Sequence, residues 1–367
     1  MQVLTLDTPP ESTWKLFYGD TGNFLRIDQV DYPVFKRLYE IGYGSFWTWK
    51  KFDFTRDRQG WEQIDEVGRR MFLLNNGYQA AMDSGVVGIY SFISTITTNT
   101  ELTLLYSYIN QNESIHAASY SYGLTQMFGI DAKPMIDVVY TDPVIKQRLE
   151  NEIDYSSAFV QSNIIEQRTD DTAKLDLVRT IVAAYMLEHI KFPFSFLVTW
   201  SVNKAYNKAL ETFSLLLTEI AHDELVVHTS TNAAVIKALR KEARQGFKHL
   251  FTAELDQFII DYARKVAEQE LEWNAYLFSE GPINGFTEEV GAAFIRHYTD
   301  RALRLIGFDP IYNEPKNDVI EWYDMYRNSN NKNTAAQETQ NINYQKGSLV
   351  NDLSTSDFSS YHRLDCP

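Results

Sequence analysis

The sequence predicts an all-α protein, a bundle of long helices followed by a polar tail. Apolar residues recur at three- and four-residue spacing through 66–93, 101–127, 174–200, 207–237 and 253–277, the period of helices with a buried face. These stretches run to about 25 to 30 residues, longer than the usual globular helix and suited to a bundle spanned end to end. Continuous alternation of the strand type is scarce between Trp61 and Trp322, and no internal repeat is visible.

Composition agrees with a thick interior. Of 367 residues, 44% are apolar and 14% aromatic, with 22 Tyr and 22 Phe, enough for one large core or two domains. The formal net charge of −15 argues against nucleic acid as a main partner, because phosphate binding needs a basic face. No stretch is expected to reach the length of a membrane span. The N-terminus (MQVLTLDTPPEST) lacks a basic-then-apolar signal pattern, so the expected location is the cytoplasm. The lone cysteine, Cys366, excludes a disulfide framework, a cysteine metal site and intrachain dithiol chemistry.

In chain order, the first long stretch carries Asp83 within Ala80-Ala-Met-Asp-Ser-Gly-Val-Val, where a lone carboxylate is costly unless paired or metal-bound. The second carries Glu113-Ser-Ile-His116-Ala-Ala-Ser-Tyr120. Positions i, i+3 and i+7 share one helix face, so acid, imidazole and phenol line up, the phenol roughly 6 Å beyond the imidazole along the axis. An acid and an imidazole one turn apart suit a hard or borderline cation such as iron or manganese, although a single Glu-x-x-His is more often a solvated ion pair. Breaks follow at Gly129 through Pro134 and at Asp142-Pro143. The third stretch places Glu188 in Val182-Ala-Ala-Tyr-Met-Leu-Glu-His-Ile-Lys-Phe-Pro-Phe, and the fourth places Glu224 and His228 in Ile220-Ala-His-Asp-Glu-Leu-Val-Val-His. Four helices with an inward acid each, two adding a histidine, is the pattern of di-iron and dimanganese carboxylate bundles. Two trivalent metals bridged by an oxide leave four positive charges, which four carboxylates cancel, so the cluster can lie in a low-dielectric core. After the fifth stretch come breaks at Gly281-Pro282 and Asn284-Gly285. The domain expectation is a helical body over 1–327, with 1–60 packed on the bundle. Residues 328–343 (NSNNKNTAAQETQNIN) are too polar to fold and read as a flexible linker. The last 24 residues regain scattered apolar side chains, as in a peptide that orders on a partner.

On these residues the chain resembles the small (β) subunit of class I ribonucleotide reductase, over roughly Phe46 to the C-terminus. The Glu-x-x-His-x-x-x-Tyr run resembles that family's ligand-and-radical segment. The resemblance implies a ferritin-like bundle, a homodimer, and a catalytic large subunit as partner. It also implies a dinuclear metal centre, with di-iron expected first and dimanganese or mixed manganese–iron using much the same ligands. Asp83, Glu113 and His116 would bind one metal, and Glu188, Glu224 and His228 the other. Dioxygen would oxidise the reduced pair, and Tyr120 would yield an electron and a proton to become a tyrosyl radical. Phe192 and Phe196 follow Glu188 by four and eight residues, and Ile220 precedes Glu224 by four. Each therefore lies on its ligand's face, where it could shield the phenol.

One spacing departs from the family. Its last ligand pair is Glu-x-x-His, whereas here three residues separate Glu224 from His228. The i+4 position stays on the ligand face, about 1.5 Å farther along the axis, and a π-bulge could absorb the extra residue. The literal Glu219-x-x-His222 is rejected because it leaves Glu224 unexplained. The radical must act on substrate held elsewhere, since this chain lacks paired thiols. Trp47, in Phe46-Trp47-Thr-Trp49, matches the family's conducting tryptophan, with Trp49 in place of a proline, and Asp223 would link Trp47 to His116 by hydrogen bonds. In the tail, Glu338 and Tyr344 keep the spacing of the family's functional glutamate and tyrosine, with Tyr361 a competitor. The alternative reading is a ferritin-like di-metal oxidase without long-range radical transfer.

Overall fold

The computed structural model describes residues 15–19, 25, 27–28 and 30–329. Among them there is no strand, only isolated bridges pairing Phe17 with Thr97 and Ile283 with Phe286. Helix α1 is Pro33–Gly44, α2 Glu66–Ile96, α3 Thr100–Phe128, α4 Pro143–Phe159 and α5 Asp171–Ala205. Helix α6 runs as Glu211–His222, a π turn Asp223–His228 and Thr229–Lys241. Then come α7 Ala253–Leu277, α8 Glu288–Leu305 and α9 Asp318–Ser329. Helix α9 thus reaches two residues into the stretch expected as linker.

Short polar side chains start most of these helices by accepting otherwise orphaned backbone N–H groups. Asp65 accepts from Gly68 N at α2, Asn99 from Leu102 N at α3, and Asp170 from Ala173 N at α5. Asp142 caps α4, where Pro143 fills a first-turn position that needs no donor. Helix α6 begins at Glu211, later than the apolar period suggests, because Asn207 and Lys208 take positive φ of 51° and 67° and turn the chain. Its N-terminal cap comes from far away. The buried Asp57 carboxylate accepts from Thr212 N at 2.9 Å and Phe213 N at 2.7 Å.

Helices α2 and α3 form one antiparallel hairpin, α5 and α6 another, and the two pack face to face to make the central bundle. Helix α1 lies across α3 at close range, since a side chain at Gly42 would run into the Tyr108 ring, whose hydroxyl donates to the Gly42 carbonyl at 2.9 Å. That approach delivers Trp47, just beyond α1, onto the bundle. The expectation that no stretch reaches span length fails for α5, whose 35 residues include an 18-residue window of mean hydropathy 1.4. That window is wholly buried, so its apolarity belongs to a core helix packed on every side.

Candidate metal centre

The bundle core holds six ionisable side chains with no water contact. Asp83 comes from α2, Glu113 and His116 from α3, Glu188 from α5, and Glu224 and His228 from α6; each is 0% exposed. Their ligand atoms form two overlapping groups. Asp83, Glu113, His116 and Glu224 make one, and Glu113, Glu188, Glu224 and His228 the other, with atoms in each group within 4.8 Å of one another. Glu113 and Glu224 belong to both. The split implied by the resemblance gave Glu113 to the first metal alone and Glu224 to the second alone; where α3 packs against α6, each lies within reach of both groups.

Helix irregularity supplies half of this geometry. Phe192 N–H closes on the Leu187 carbonyl, and Thr229 N–H on that of Glu224, each five residues back. Glu188 and the Glu224–His228 pair therefore lie on π turns, and those two turns touch. The second absorbs the extra residue between Glu224 and His228, leaving His228 Nδ1 2.8 Å from Glu224 Oε2 and 2.9 Å from Glu113 Oε1. The first has a sequence signal in Pro193, which has no N–H to close an α turn. The rejected pair lies apart: Glu219 is partly exposed and pairs with Lys51 at 2.6 Å, and His222 is only half-buried.

The donors fit a cation. Among the described residues, neither oxygen of Asp83, Glu113 or Glu188 has a hydrogen-bond partner, nor do Glu224 Oε1 and His116 Nδ1. His116 Nδ1 is nonetheless 2.8 Å from Glu224 Oε1, close without hydrogen-bond alignment. Buried polar atoms are rarely left so, and a set of carboxylate oxygens with two imidazole nitrogens suits iron or manganese. Burial, and then the neighbouring carboxylates, push Asp83 and Glu188 well above the ordinary carboxylate range. Burial opposes charge on Glu224 too, but the His228 and His116 imidazoles outweigh it and hold Glu224 well below that range. Burial also lowers His228, yet Glu224 and Glu113 carry it up to about 10. These are the responses of acids and imidazoles crowded together in a buried cluster.

Tyr120 is fully buried, its hydroxyl without a hydrogen-bond partner among the described residues. Burial, then the Asp83 carboxylate, raises its pKa well above that of an ordinary phenol. Phe192, Phe196 and Ile220 are buried as well. The ring contacts of the two phenylalanines run along α5, Phe192 on Phe196 at 5.8 Å and Phe196 on Trp200 at 6.0 Å.

Beside this cluster, hydrogen bonds converge on one atom. Asp223 Oδ2 accepts from Trp47 Nε1 at 2.8 Å and Asn112 Nδ2 at 3.0 Å, and lies 3.1 Å from His116 Nε2. Trp47 stacks on the His116 ring at 5.9 Å and 15°. Burial raises Asp223, but His116 outweighs it and holds this carboxyl below its ordinary range. Asn112, which also meets His228 Nε2 at 3.0 Å, escaped the sequence reading; its only signal was its place directly before Glu113. Glu338 and Tyr344 lie outside the described residues.

A helical, ferritin-like bundle around a buried carboxylate–histidine cluster is the class of protein that this fold and site define. The family described as ribonucleotide reductase, small chain, matches residues 25–318, and the chain belongs to it: the small subunits of class I ribonucleoside-diphosphate reductases, oxidoreductases that work with a large subunit. The chain is similar to the ribonucleoside-diphosphate reductase 1 subunit beta of Escherichia coli O157:H7, 24% identical with 94% of this chain and 95% of that one covered. It is likewise similar to the subunit beta of Enterobacteria phage T4, 23% identical with 92% and 93% covered. Among solved structures, the R2 subunit from Clostridium botulinum superposes with a TM-score of 0.79 at 23% identity, covering 89% of this chain and 98% of that one. The dimanganese(II)-NrdF of Streptococcus sanguinis does so with a TM-score of 0.65 at 18% identity, covering 81% and 98%.

Proposed function

We propose that this chain generates a tyrosyl radical at Tyr120 and passes its oxidising equivalent to the large subunit, which reduces ribonucleotides. Asp83, Glu113, His116, Glu188, Glu224 and His228 would hold a dinuclear metal centre, di-iron first, with dimanganese or a mixed pair using the same donors. When bound, a redox-active pair supplies oxidising power drawn from dioxygen. The four carboxylates balance its charge in a core that water does not reach. Asp83, the carboxylate whose charge acts most strongly on Tyr120, would receive the phenolic proton as the ring loses an electron. Phe192, Phe196 and Ile220 add apolar bulk to that interior and are assigned to shielding the radical.

The observation that carries the reading is the junction at Asp223 Oδ2, which ties Trp47 to the ligand His116. A self-contained oxidase has no need for an oxidisable indole bonded to its ligand shell. Trp47 would conduct the equivalent outward, and Glu338 and Tyr344 in the tail would continue the route while the last residues dock on the large subunit. The same reading takes the active form as a homodimer. Aerobic reconstitution with Fe(II), or with Mn(II), followed by electron paramagnetic resonance tests it. A tyrosyl signal that disappears in Tyr120→Phe is expected; an unchanged signal in that variant rejects Tyr120 as the radical residue.

A further inference from the structure

We propose that Asn112 is a positioning residue through which a single carboxylate, Asp223, fixes the metal-facing nitrogen of both histidines. The inference rests on the reading of His116 and His228 as ligands. Asp223 Oδ2 already accepts from two groups that can only donate, the Trp47 indole N–H at 2.8 Å and the Asn112 amide N–H at 3.0 Å, so it faces this junction as an acceptor. His116 must therefore present Nε2–H to Asp223 Oδ2, which leaves the Nδ1 lone pair for the cluster side, where Glu224 Oε1 is 2.8 Å away. The same carboxylate oxygen orients Asn112, whose NH2 donates to it at 3.0 Å. With its amide nitrogen so committed, Asn112 turns its carbonyl oxygen to His228 Nε2, 3.0 Å away. An amide oxygen is also only an acceptor, so His228 must carry its proton on Nε2 and direct Nδ1 at Glu113 and Glu224, 2.9 and 2.8 Å away.

The hydrogen bonds orient both imidazoles outward from Asp223, with no second anion in the relay. Ligand histidines usually have the outer nitrogen held by a carboxylate, carbonyl or water, which sets tautomer and ring orientation. Here the amide relays that setting from the first histidine to the second. Asn112, Asp223 and both imidazoles are buried, so no exposed route offers solvent as a substitute partner. Trp47 donates to the same oxygen, so the indole and both imidazoles share one acceptor network.

Zn(II), which is redox-inert, serves as the probe in the full-length protein, with histidines labelled in 15N for NMR. In the wild type, both His116 and His228 should show Nε2–H with the metal on Nδ1. Asn112→Leu, close in volume but unable to accept or donate, should weaken one of two Zn(II) ions by about 10–100-fold and lose the protected His228 Nε2–H signal. Asn112→Asp keeps an acceptor for His228, so it should hold affinity within about threefold of wild type and retain that signal. A wild-type spectrum with His228 bound through Nε2, or Asn112→Leu binding both ions at wild-type affinity, overturns the inference. If Asn112→Asp fails to fold beside Asp223, the wild-type spectrum and Asn112→Leu still decide it. Failure of the wild type to bind a pair of ions would instead overturn the metal reading on which it rests.

Discussion

Because Glu113 and Glu224 belong to both ligand groups while Asp83 and Glu188 belong to one each, the four carboxylates are not equivalent. Removing a shared acid should cost both ions, and removing an unshared acid only one. Loss of an outer hydrogen-bond partner typically weakens metal binding by about 10–100-fold, so loss of a direct, charged ligand should reach at least about 100-fold, or about 2.7 kcal/mol per ion served. At a free metal concentration about tenfold above the wild-type dissociation constant, a 100-fold loss drops site occupancy from about 90% to about 10%. Glu113→Ala and Glu224→Ala should then retain about 0.2 ions per chain, and Asp83→Ala and Glu188→Ala about one. Elemental analysis after equilibrium dialysis against Mn(II) measures this directly. Asp83→Ala losing both ions, or Glu224→Ala keeping one, would refute the sharing.

The metal-free protein supplies an independent check. Burial and mutual repulsion push Asp83 and Glu188 upward, so the folded state binds their protons more tightly than the unfolded chain does. The sign follows from linkage: such groups make stability fall as pH rises above the ordinary carboxylate value of about 4. Asp83→Asn and Glu188→Gln remove the ionisable group at nearly constant volume. Each should raise the metal-free melting temperature at neutral pH while shrinking the increase that added Mn(II) produces. A fall in the metal-free melting temperature for both variants would mean that the carboxylates are stabilising partners of their neighbours and not groups left uncompensated without a cation.

Three further outcomes follow from other parts of the chain. Asp57→Ala strips the acceptors from Thr212 N and Phe213 N at the start of α6 and should destabilise the fold by about 1–3 kcal/mol in chemical unfolding, restored only in part by Asp57→Asn, whose single amide oxygen can accept from one of the two N–H groups. Trp47→Phe removes the indole donor to Asp223; metal content should stay within error of wild type while turnover with the large subunit is lost, and retained turnover would take Trp47 off the route. Deleting residues 344–367 should leave metal content and the Tyr120 radical unchanged yet abolish activity, and Tyr344→Phe should separate docking from conduction by keeping large-subunit affinity while losing turnover. Activity retained by Tyr344→Phe and lost by Tyr361→Phe would move the step to the later tyrosine.

How much of this was legible in the sequence depends on how local its cause is. Glu113, His116 and Tyr120 could be aligned from spacing alone because they share one regular helix. Asp83, Glu188 and Glu224 stood out because an acid in an apolar run demands a partner. The sharing of Glu113 and Glu224 could not be read, since it arises where α3 meets α6. The start of α6 is hidden in the apolar run, because Asn207 and Lys208 turn the chain there at positive φ and the cap, Asp57, lies 155 residues before Thr212. Buried ion pairs were invisible for the same reason: Arg148 with Glu270, and Lys191 Nζ 2.8 Å from Glu152. Each charge is costly by itself in the interior, and only the tertiary partner makes it tolerable.

The spacing of Glu224 and His228 is the instructive case, because the sequence irregularity and the structural one are the same event. In a regular α-helix, residue i+4 has rotated about 40° past residue i, which would swing His228 away from the position an i+3 ligand takes. The π turn Asp223–His228 spends one additional residue on the circuit and returns the imidazole to both shared carboxylates. Its neighbour Leu187–Lys191 does the same for Glu188, ahead of Pro193. The site is therefore asymmetric in its scaffold. Asp83, Glu113 and His116 project from unbroken α-helix, whereas Glu188, Glu224 and His228 project from two touching π turns. Such turns are rare, occur mostly as single turns within α-helices, and are frequent at functional sites. The outward hydrogen bonds follow the same division: His116, on the regular helix, reaches Asp223 directly, and His228, on the widened one, reaches it only through Asn112. An extra residue in α6 that would be an error in a packing helix is thus what lets the second histidine face the shared carboxylates while its outer nitrogen stays within reach of the network that leads to Trp47.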